Sequence, residues 1–485
     1  MHDVVLTILP LLFGAFLALV AGWIRPKFSY SIGVIGLAGS VFFTLRVLAK
    51  VVTDGTLSYS MGGWAPPWGI VFVVDALSAA MLVLIAASSL ITYVVYHDEI
   101  VDHFKEKTAA FVALILLVVA GHMGIVATGD LFNLYVLIEV AALSGYALLG
   151  FSGDRSPLSS LSYLCIGSVG ASFYLLGVGY LYIMTGSLNL ADLSGLLEIA
   201  QVSTSLQAAV AVMMLGLWVK MALFPFHGWL PGAYSNSSFV SASFLAPMTT
   251  KVMVYVMLRL VLSLFPGNLL DTNMLPEVGL VLATAAIFFG SIMAYRQKDL
   301  RRTLCYILVA EVGYMVGGLF IGNREAMTGT ILHIFADALM TLTLFVALGS
   351  ILRHRAESGL SSMKGMFKSM PFTMASFVLA GMSMIGVPPL FGFFSKWRLL
   401  SGALEAGEFG FMAGLLVSSL VNVVIFFRIF ETAFFESSED KTPTGEHWAR
   451  TAPLALTALL LILGGVYSGL IVETIVANVL PTDLI

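Results

Sequence analysis

Long apolar segments alternate with short polar connections along almost the whole chain. The segment from Leu131 to Gly150 is typical, since about 20 helical residues, each rising roughly 1.5 Å, cross the hydrocarbon core of a bilayer. Segments of similar length recur at 4–23, 29–50, 70–93, 109–128, 131–150, 160–185, 206–227, 237–262, 277–294, 303–322, 328–352, 371–403, 409–431 and 452–473. This pattern predicts an all-α polytopic membrane protein with about 14 transmembrane helices.

Lysine and arginine are concentrated in the connections on one side of these predicted helices. They lie at Arg25/Lys27, Lys105/Lys107, Arg155, Arg296/Lys298/Arg301/Arg302 and Arg353/Arg355/Lys364/Lys368. The opposite connections carry mainly acidic residues, at Asp54, Asp192/Glu198, Asp271 and Glu405/Glu408. The positive-inside rule places the basic connections in the cytoplasm. We therefore expect a multi-pass protein of the cell inner (plasma) membrane, with the N- and C-termini outside.

The composition agrees with this class. Of the 485 residues, 59% are hydrophobic and 11% are charged, against about 25% charged in soluble domains, and the mean hydropathy is +0.97. No soluble domain and no nucleic-acid partner are expected. Cys165 and Cys305 lie in separate apolar segments without a CxxC pair. We therefore expect both to be small packing residues, and we expect no metal site or cofactor.

The N-terminus lacks the basic region of a signal peptide, so the first helix should be retained.

Three polar or irregular connections have individual character. The stretch 51–69 is rich in Gly, Pro and Trp and predicts a short outer hairpin. Residues 189–199 suit a short interfacial amphipathic helix. The stretch 435–450 predicts a solvated connection.

Two proline-containing motifs interrupt apolar runs at corresponding places in the two halves. They are LFPFHGWLPGAY at 223–234, with Pro225, and VPPLFGFFSKW at 387–397, with Pro388 and Pro389. Proline removes a backbone hydrogen bond inside a helix, and such breaks occur in membranes where the backbone is buried in protein or lines a wet cavity. Pro247 marks a further break.

Each motif falls in the fourth helix of a five-helix unit, 109–262 and 277–431. Because five is odd, the second unit should be inverted relative to the first. Paired broken helices in inverted repeats indicate a transport site at the middle of the membrane. Residues 1–108 and 432–485 then form the N-terminal helices with the outer hairpin, and a C-terminal loop with its helix.

Four charged residues are stranded in the apolar segments. Glu139 lies near the middle of its segment, where an ionised carboxylate costs roughly 2.5–3.5 kcal/mol on insertion scales. Lys220, Lys251 and Lys396 each lie near a proline. We expect Glu139 and Lys220 to form an ion pair, and a carboxylate moving relative to a buried lysine would change its proton affinity. The alternatives are static ion pairs that lock helices together and, for Lys396, a side chain that extends to the interface.

The second half contains a further polar set. His333 and Asp337 are four residues apart and share a helix face, Thr341 follows one turn later, and Glu311 lies in the preceding helix. The alternative is a satisfied polar cluster between helices. Two isolated histidines are weaker candidates. We expect His122 to cap a helix end near water and His227 to stabilise the helix break.

Four motifs resemble a known family: GDLFNLYVLIEVAALSGYALLG, VKMALFPFHGWLPGAY, RQKDLRRTLCY and VPPLFGFFSKW. They are similar to the antiporter-like subunits shared by Mrp-type cation/proton antiporters and the membrane arms of respiratory complex I and related hydrogenases, and most similar to the D subunits of Mrp antiporters. The resemblance covers nearly the whole chain. It implies 14 helices with inverted repeats, a hydrated axis through Glu139, Lys220, Lys251 and Lys396, partner membrane subunits and no cofactor in this chain.

The chain departs from the family in its central helix. The family usually carries a second histidine and then a lysine after the first histidine, where this chain has Asp337 and Thr341. We therefore expect His333, its charge stabilised by Asp337, to act as the central proton carrier, with Glu311 as a neighbour.

The leading hypothesis is a proton-translocating subunit of a multisubunit Na⁺(K⁺)/H⁺ antiporter in the lipid bilayer. The alternative is a proton-pumping subunit of a complex I-like NADH:quinone oxidoreductase or membrane-bound hydrogenase, in which the whole complex is an enzyme. A structural scaffold is a third hypothesis, and the stranded charges argue against it.

Overall fold

The computed structural model describes residues 2–151, 155–199, 203–264, 274–353, 358–437 and 446–481. Helices dominate these ranges, and a single two-stranded hairpin is described within them. The N-terminal part comprises α1 Asp3–Leu6, α2 Leu9–Ile24, α3 Pro26–Asp54, β1 Leu57–Ser60, β2 Val71–Val74 and α4 Ala76–Val95. The strands are antiparallel and pair Leu57 with Val74. A hairpin is therefore present, but its second strand lies beyond the predicted range 51–69.

The middle of the chain comprises α5 Thr108–Ala127, α6 Leu131–Leu149, α7 Ser156–Thr185, α8 Leu190–Ile199, α9 Thr204–Lys220, α10 Trp229–Asn236, α11 Phe239–Leu245 and α12 Thr249–Leu264. Its helix α8 is the short helix predicted at 189–199. After the gap follow α13 Leu275–Arg296, α14 Leu300–Ile321, α15 Arg324–Leu352, α16 Met366–Ser369, α17 Pro371–Ile385, α18 Phe391–Glu405 and α19 Phe409–Phe435. The C-terminal part contains α20 Trp448–Val466 and α21 Ser468–Ile471. Of the connection predicted at 435–450, residues 438–445 lie outside the described ranges.

Short polar side chains set the helix starts. Asp75 and Ser78 form a capping box at α4, and Asp130, Asp299 and Asn323 each accept a backbone N–H at the start of α6, α14 and α15. Such caps satisfy donors that have no partner within the helix. Polar residues between apolar runs therefore fix where the membrane helices begin.

The helix count agrees with the predicted number. Twelve helices of the described residues are long and apolar enough to cross a membrane. Two shorter apolar helices, Thr204–Lys220 and Pro371–Ile385, are each followed by a second half-helix, α10 and α18. Together these give the expected total of about 14. The two half-helix pairs contain the predicted breaks at Pro225 and at Pro388 and Pro389, and the break at Pro247 separates α11 from α12.

Three helices form the centre of the molecule. In the most apolar 18 residues of each segment, the buried share is 94% in Arg324–Leu352 (α15), 89% in Leu300–Ile321 (α14) and 89% in Phe239–Leu264 (α11 and α12). In Pro26–Asp54 (α3) it is 33%. A helix that is apolar on all sides belongs inside a bundle. The peripheral helices expose large apolar side chains, as a lipid-facing surface requires. Cys305 is buried as predicted, but Cys165 is exposed on α7, so its expected packing role within the chain is wrong.

Candidate functional site

Glu139 and Lys220 form the ion pair predicted from the sequence. Lys220 Nζ lies 3.0 Å from Glu139 Oε1 and 3.5 Å from the Tyr146 hydroxyl. Lys220 is buried, while the Glu139 side chain is 22% exposed. Tyr146 was missed from the sequence, although it lies two helical turns after Glu139 and so shares its face. The pair joins α6 to the end of α9.

Lys251 and Asp337 form a second pair, which is fully buried. Lys251 Nζ lies 2.8 Å from Asp337 Oδ2, and neither side chain is exposed. The Thr341 hydroxyl donates to Asp337 Oδ1 at 2.9 Å and accepts from Lys251 at 3.4 Å. The predicted pairing of Asp337 with His333 is therefore wrong. Residues four apart on a helix are rotated and displaced by one turn, so the two side chains reach different neighbouring helices.

His333 is paired with Glu311 instead. His333 Nε2 and Glu311 Oε2 are 2.6 Å apart, and His333 Nδ1 lies 2.8 Å from the Ser395 hydroxyl. His333 and Glu311 have no exposed surface. Ser395 was missed from the sequence, since a serine beside a lysine carries no distinctive signal. The contact places α14, α15 and α18 around one imidazole.

Lys396 points into the protein. Its ammonium donates to the Met384 carbonyl at 2.6 Å, lies 3.6 Å from Glu311 Oε1 and stands 4.8 Å above the Tyr314 ring centroid. The alternative of a side chain that extends to the interface therefore does not hold. Glu311 contacts both Lys396 and His333, so these three side chains form one cluster.

The helix breaks explain where the three lysines lie. Lys220 ends α9, the Ala246 carbonyl beyond α11 accepts from Lys251 at 3.4 Å, and the Met384 carbonyl in the last turn of α17 accepts from Lys396. The last carbonyls of a helix have no partner within it and carry the negative end of the helix dipole. The breaks after α11 and α17 therefore each supply a carbonyl acceptor for a buried ammonium group, whereas the partners of Lys220 are the side chains of Glu139 and Tyr146.

The two remaining histidines occupy different settings. His122 is buried inside α5, so its predicted role as a cap at a helix end is wrong. His227 lies in the short 3₁₀ turn Phe226–Gly228 within the break, and its ring packs against Phe224 and Phe289, with centroids 5.5 and 4.7 Å away. This packing agrees with the predicted stabilisation of the break. In the part of the chain that the structure describes, no group of three or more His, Cys, Asp or Glu side chains is arranged to hold a metal ion.

A cavity of about 470 Å³ lies at the hairpin end of α12, lined by Asp75, Thr128, Asn189, Tyr255 and Arg259 among others. Arg259 forms an ion pair with Asp75, and its Nε donates to the Tyr255 hydroxyl at 3.0 Å. Burial alone would raise the pKa of Asp75, but the charge and hydrogen bond of Arg259 lower it overall. Lys251, Tyr255 and Arg259 follow one another at four-residue intervals, so one face of α12 runs from this cavity to the buried pair.

Comparisons with known proteins agree with this geometry. A family model described as "NADH:quinone oxidoreductase/Mrp antiporter, TM" matches residues 128–422. The chain is 43% identical to NADH-quinone oxidoreductase subunit N of Desulforudis audaxviator over 436 residues, 88% of this chain and 87% of that protein. It is 31% identical to the D subunit of the Na⁺/H⁺ antiporter of Bacillus subtilis over 427 residues, 86% of this chain and 85% of that protein.

The fold of this chain is also similar to that of a solved structure. A chain of the membrane-bound sulfane sulfur reductase, an archaeal respiratory membrane complex, superimposes with a TM-score of 0.90 at 28% identity. The superposition covers 99% of this chain and 100% of that chain. The likeness therefore extends over nearly the whole chain.

Proposed function

Because the chain belongs to the NADH:quinone oxidoreductase/Mrp antiporter transmembrane family, we propose that it is a proton-translocating subunit of a multisubunit membrane complex. One observation carries the proposal. Three buried lysines, each at a helix break, contact the carboxylates Glu139, Asp337 and Glu311 inside the bundle. Ionisable residues inside a membrane mark ion and proton pathways by default.

The chemistry follows from the pairing. A carboxylate beside a lysine favours the ammonium form, and separating the two in a medium of low dielectric constant disfavours it. A change in one pair therefore releases or takes up a proton, which the next pair can receive. The two proposed five-helix units, 109–262 and 277–431, each contribute one broken fourth helix to this series, and α15 carries residues of both buried clusters.

The leading form of the proposal is exchange of protons for Na⁺ or K⁺ within an antiporter complex. The name of the B. subtilis relative, an Na⁺/H⁺ antiporter subunit, supports the exchange of Na⁺. The second form is proton pumping driven by a redox reaction elsewhere in a complex. The 43% identity to a subunit N and the likeness to a chain of a respiratory complex support this second form. In both forms we propose other membrane subunits as partners.

The proposal is tested on the native complex reconstituted in vesicles. Movement of protons is followed with a pH-sensitive dye, first under an imposed Na⁺ or K⁺ gradient and then with electron donors and acceptors. Glu139→Gln should abolish translocation in assembled complex, because the amide leaves Lys220 without its counter-charge. Glu405→Gln, at the exposed end of α18, is the matched control and should behave as wild type. Wild-type translocation by the Glu139→Gln complex would refute the proposal.

We further propose the cell inner membrane as the location, with both termini outside. The distribution of basic connections supports this orientation. Labelling of single introduced cysteines at residue 60 in the hairpin and at residue 298 in a basic connection tests it. A membrane-impermeant thiol reagent applied to intact cells should label only the first, and the reverse result would invert the topology.

A further inference from the structure

A small cavity lies beside Lys220 of the Glu139–Lys220 ion pair. Its volume is about 20 Å³, and its polar lining consists of His122, Tyr163, Lys220 and Thr249. The remainder of the lining is mainly apolar and includes Ala142 and Met253. A cavity of at least about 10–15 Å³ holds one water molecule when polar partners are present. The space is therefore the size of a single water site.

The polar groups around this cavity have unused hydrogen-bonding capacity. The buried hydroxyls of Thr249 and Tyr234 lie near each other, but neither has a partner within hydrogen-bonding distance in the described residues. His122 is 3% exposed, and its ring makes no hydrogen bond or ion pair to another described residue. Lys220 has three donors, of which Glu139 and Tyr146 engage two. Buried polar groups are normally satisfied by protein or by ordered water.

A packing role explains His122 poorly. An imidazole buried for its shape alone carries the free-energy cost of unsatisfied nitrogen atoms, and an apolar side chain of similar size would avoid that cost. A histidine that shares a water-sized cavity with an ammonium group can instead form hydrogen bonds through a water molecule in that cavity. Among side chains, histidine takes up and releases protons most readily near neutral pH.

We propose that His122 is a proton carrier directly coupled to Lys220, through a water molecule that Thr249 orients in this cavity. In the transfer, the Lys220 ammonium gives a proton to the water while the water gives one to an imidazole nitrogen. The products are a neutral lysine amine and an imidazolium, and the reverse transfer restores the starting state. Glu139 first takes up a proton from its own side of the bundle, then passes it to the neutral Lys220 amine and becomes a carboxylate again. This inference rests on the proposed proton-translocating function and adds a residue of α5 to it.

Neighbouring threonines provide a matched test of the water site. Thr249→Val removes the hydroxyl that lines the cavity and keeps the side-chain shape. Thr250→Val is the control, because its hydroxyl is also buried without a partner in the described part of the chain but does not line the cavity. In the reconstituted complex, Thr249→Val should slow proton translocation by about tenfold, the order expected for one lost hydrogen bond. Thr250→Val should stay within twofold of wild type. Equal rates for the two variants would overturn the role of Thr249.

Two substitutions at His122 separate proton transfer from water binding. Glutamine retains hydrogen-bonding groups but does not carry a proton near neutral pH, so His122→Gln should lose translocation as fully as His122→Ala. Assembly and thermal stability of both complexes are measured alongside. Wild-type rates for His122→Gln would overturn the carrier role.

The water site itself is examined without reference to transport. A cryo-electron microscopy map of the assembled complex, at a resolution that shows ordered water, should contain one water within hydrogen-bonding distance of Lys220 and Thr249. This water should persist in Thr250→Val and be lost in Thr249→Val; its absence from wild type would overturn the inference. Absence of translocation in the wild-type complex would instead refute the proposed function, so the two failures are distinguishable.

Discussion

The Lys251–Asp337 pair is enclosed by protein on all sides, and its geometry is tight. The two side chains are 2.8 Å apart, and Thr341 bridges them. Removing one partner of a buried pair leaves an uncompensated charge and costs about 3–5 kcal/mol of stability. The pair therefore contributes to the fold of the central helices as well as to the proposed function.

Substitutions in this pair should have graded effects. Asp337→Asn should destabilise the protein by about 3–5 kcal/mol and impair translocation strongly. Thr341→Ala removes hydrogen bonds but leaves both charges, so it should cost about 1 kcal/mol with a mild loss of translocation. Thermal unfolding in detergent and dye-monitored translocation measure the two quantities. A functional Asp337→Asn complex beside an inactive Thr341→Ala complex would reverse the assignment.

Glu311 is shared by His333 and Lys396, so one substitution tests both contacts. Glu311→Gln should abolish translocation, because it removes the negative charge that stabilises an imidazolium and an ammonium group together. His333→Ala should impair translocation strongly, whereas Ser395→Ala, which leaves all charges in place, should retain most of it. The measurement is the rate of translocation in assembled complex from pH 6 to 9. A fully active Glu311→Gln complex would exclude this cluster from the pathway.

At this scale, the sequence located the charged residues but assigned only some of their partners. The Glu139–Lys220 pair could be predicted because each residue is stranded in an apolar segment and needs a counter-charge. The partner of His333 could not be predicted, because periodicity identifies residues that share a face of one helix but not the helix that packs against that face. Only the structure could therefore show that Asp337 pairs with Lys251.

Among the helices, the breaks determine where positive charge can be buried. The half-helices α11 and α17 end beside Lys251 and Lys396, and a carbonyl at each end accepts from the ammonium group. Lys220 is itself the last residue of α9. Proline predicted the positions of these breaks from the sequence. The carbonyl groups that bind the lysines could not be predicted, because they depend on how the second half-helix folds back.

Two glycines with positive φ, one after α17 and one after α18, offer a matched test of this arrangement. Gly386 has a φ of 96° and Gly407 a φ of 74°, and alanine in that region costs roughly 1–2 kcal/mol. Gly386→Ala should lower stability by about this amount and also slow translocation, because it displaces the Met384 carbonyl from Lys396. Gly407→Ala meets no atom within 4 Å and should lower stability alone. Equal translocation by the two variants would show that the carbonyl contact is dispensable.

The hairpin end of α4 is attached to α12 by a charge pair whose effect depends on pH. The pKa of Asp75 in the folded protein is lowered, so its contribution to stability is complete above the unfolded value of about 3.9 and declines as pH falls below it. Asp75→Asn should therefore melt at a lower temperature than wild type at pH 7, and the difference should shrink below pH 4. Thermal unfolding across pH 3 to 8 measures this. A constant difference across the range would rule out the ionised carboxylate as its source.

In the whole molecule, the Lys251–Asp337 pair and the cluster of Glu311, His333 and Lys396 are buried. The Glu139–Lys220 pair lies nearer the surface, because the Glu139 side chain is 22% exposed. Glu139 lies on a face of α6 that also carries Phe132, Val136 and Leu143, which are 47%, 41% and 55% exposed. Hydropathy predicted the helices and their number, since length and apolarity are local properties. It could not predict which faces are outermost, because lipid-facing and core-facing positions are both mostly apolar.

The exposed setting of Glu139 leads to a prediction about assembly. A carboxylate that faces hydrocarbon is unfavourable, and burial against a neighbouring membrane subunit would remove that exposure. The chain expressed alone should therefore insert into the membrane but show little exchange of Na⁺ or K⁺ for protons after reconstitution, whereas the whole complex should be active. Leu143→Trp, on the same face, should weaken association with the partner subunits, while Leu158→Trp, exposed on α7, serves as its control. Robust exchange by the purified single chain, abolished by Glu139→Gln, would show that the relay is complete without a partner, because the carboxylate would then work while facing lipid.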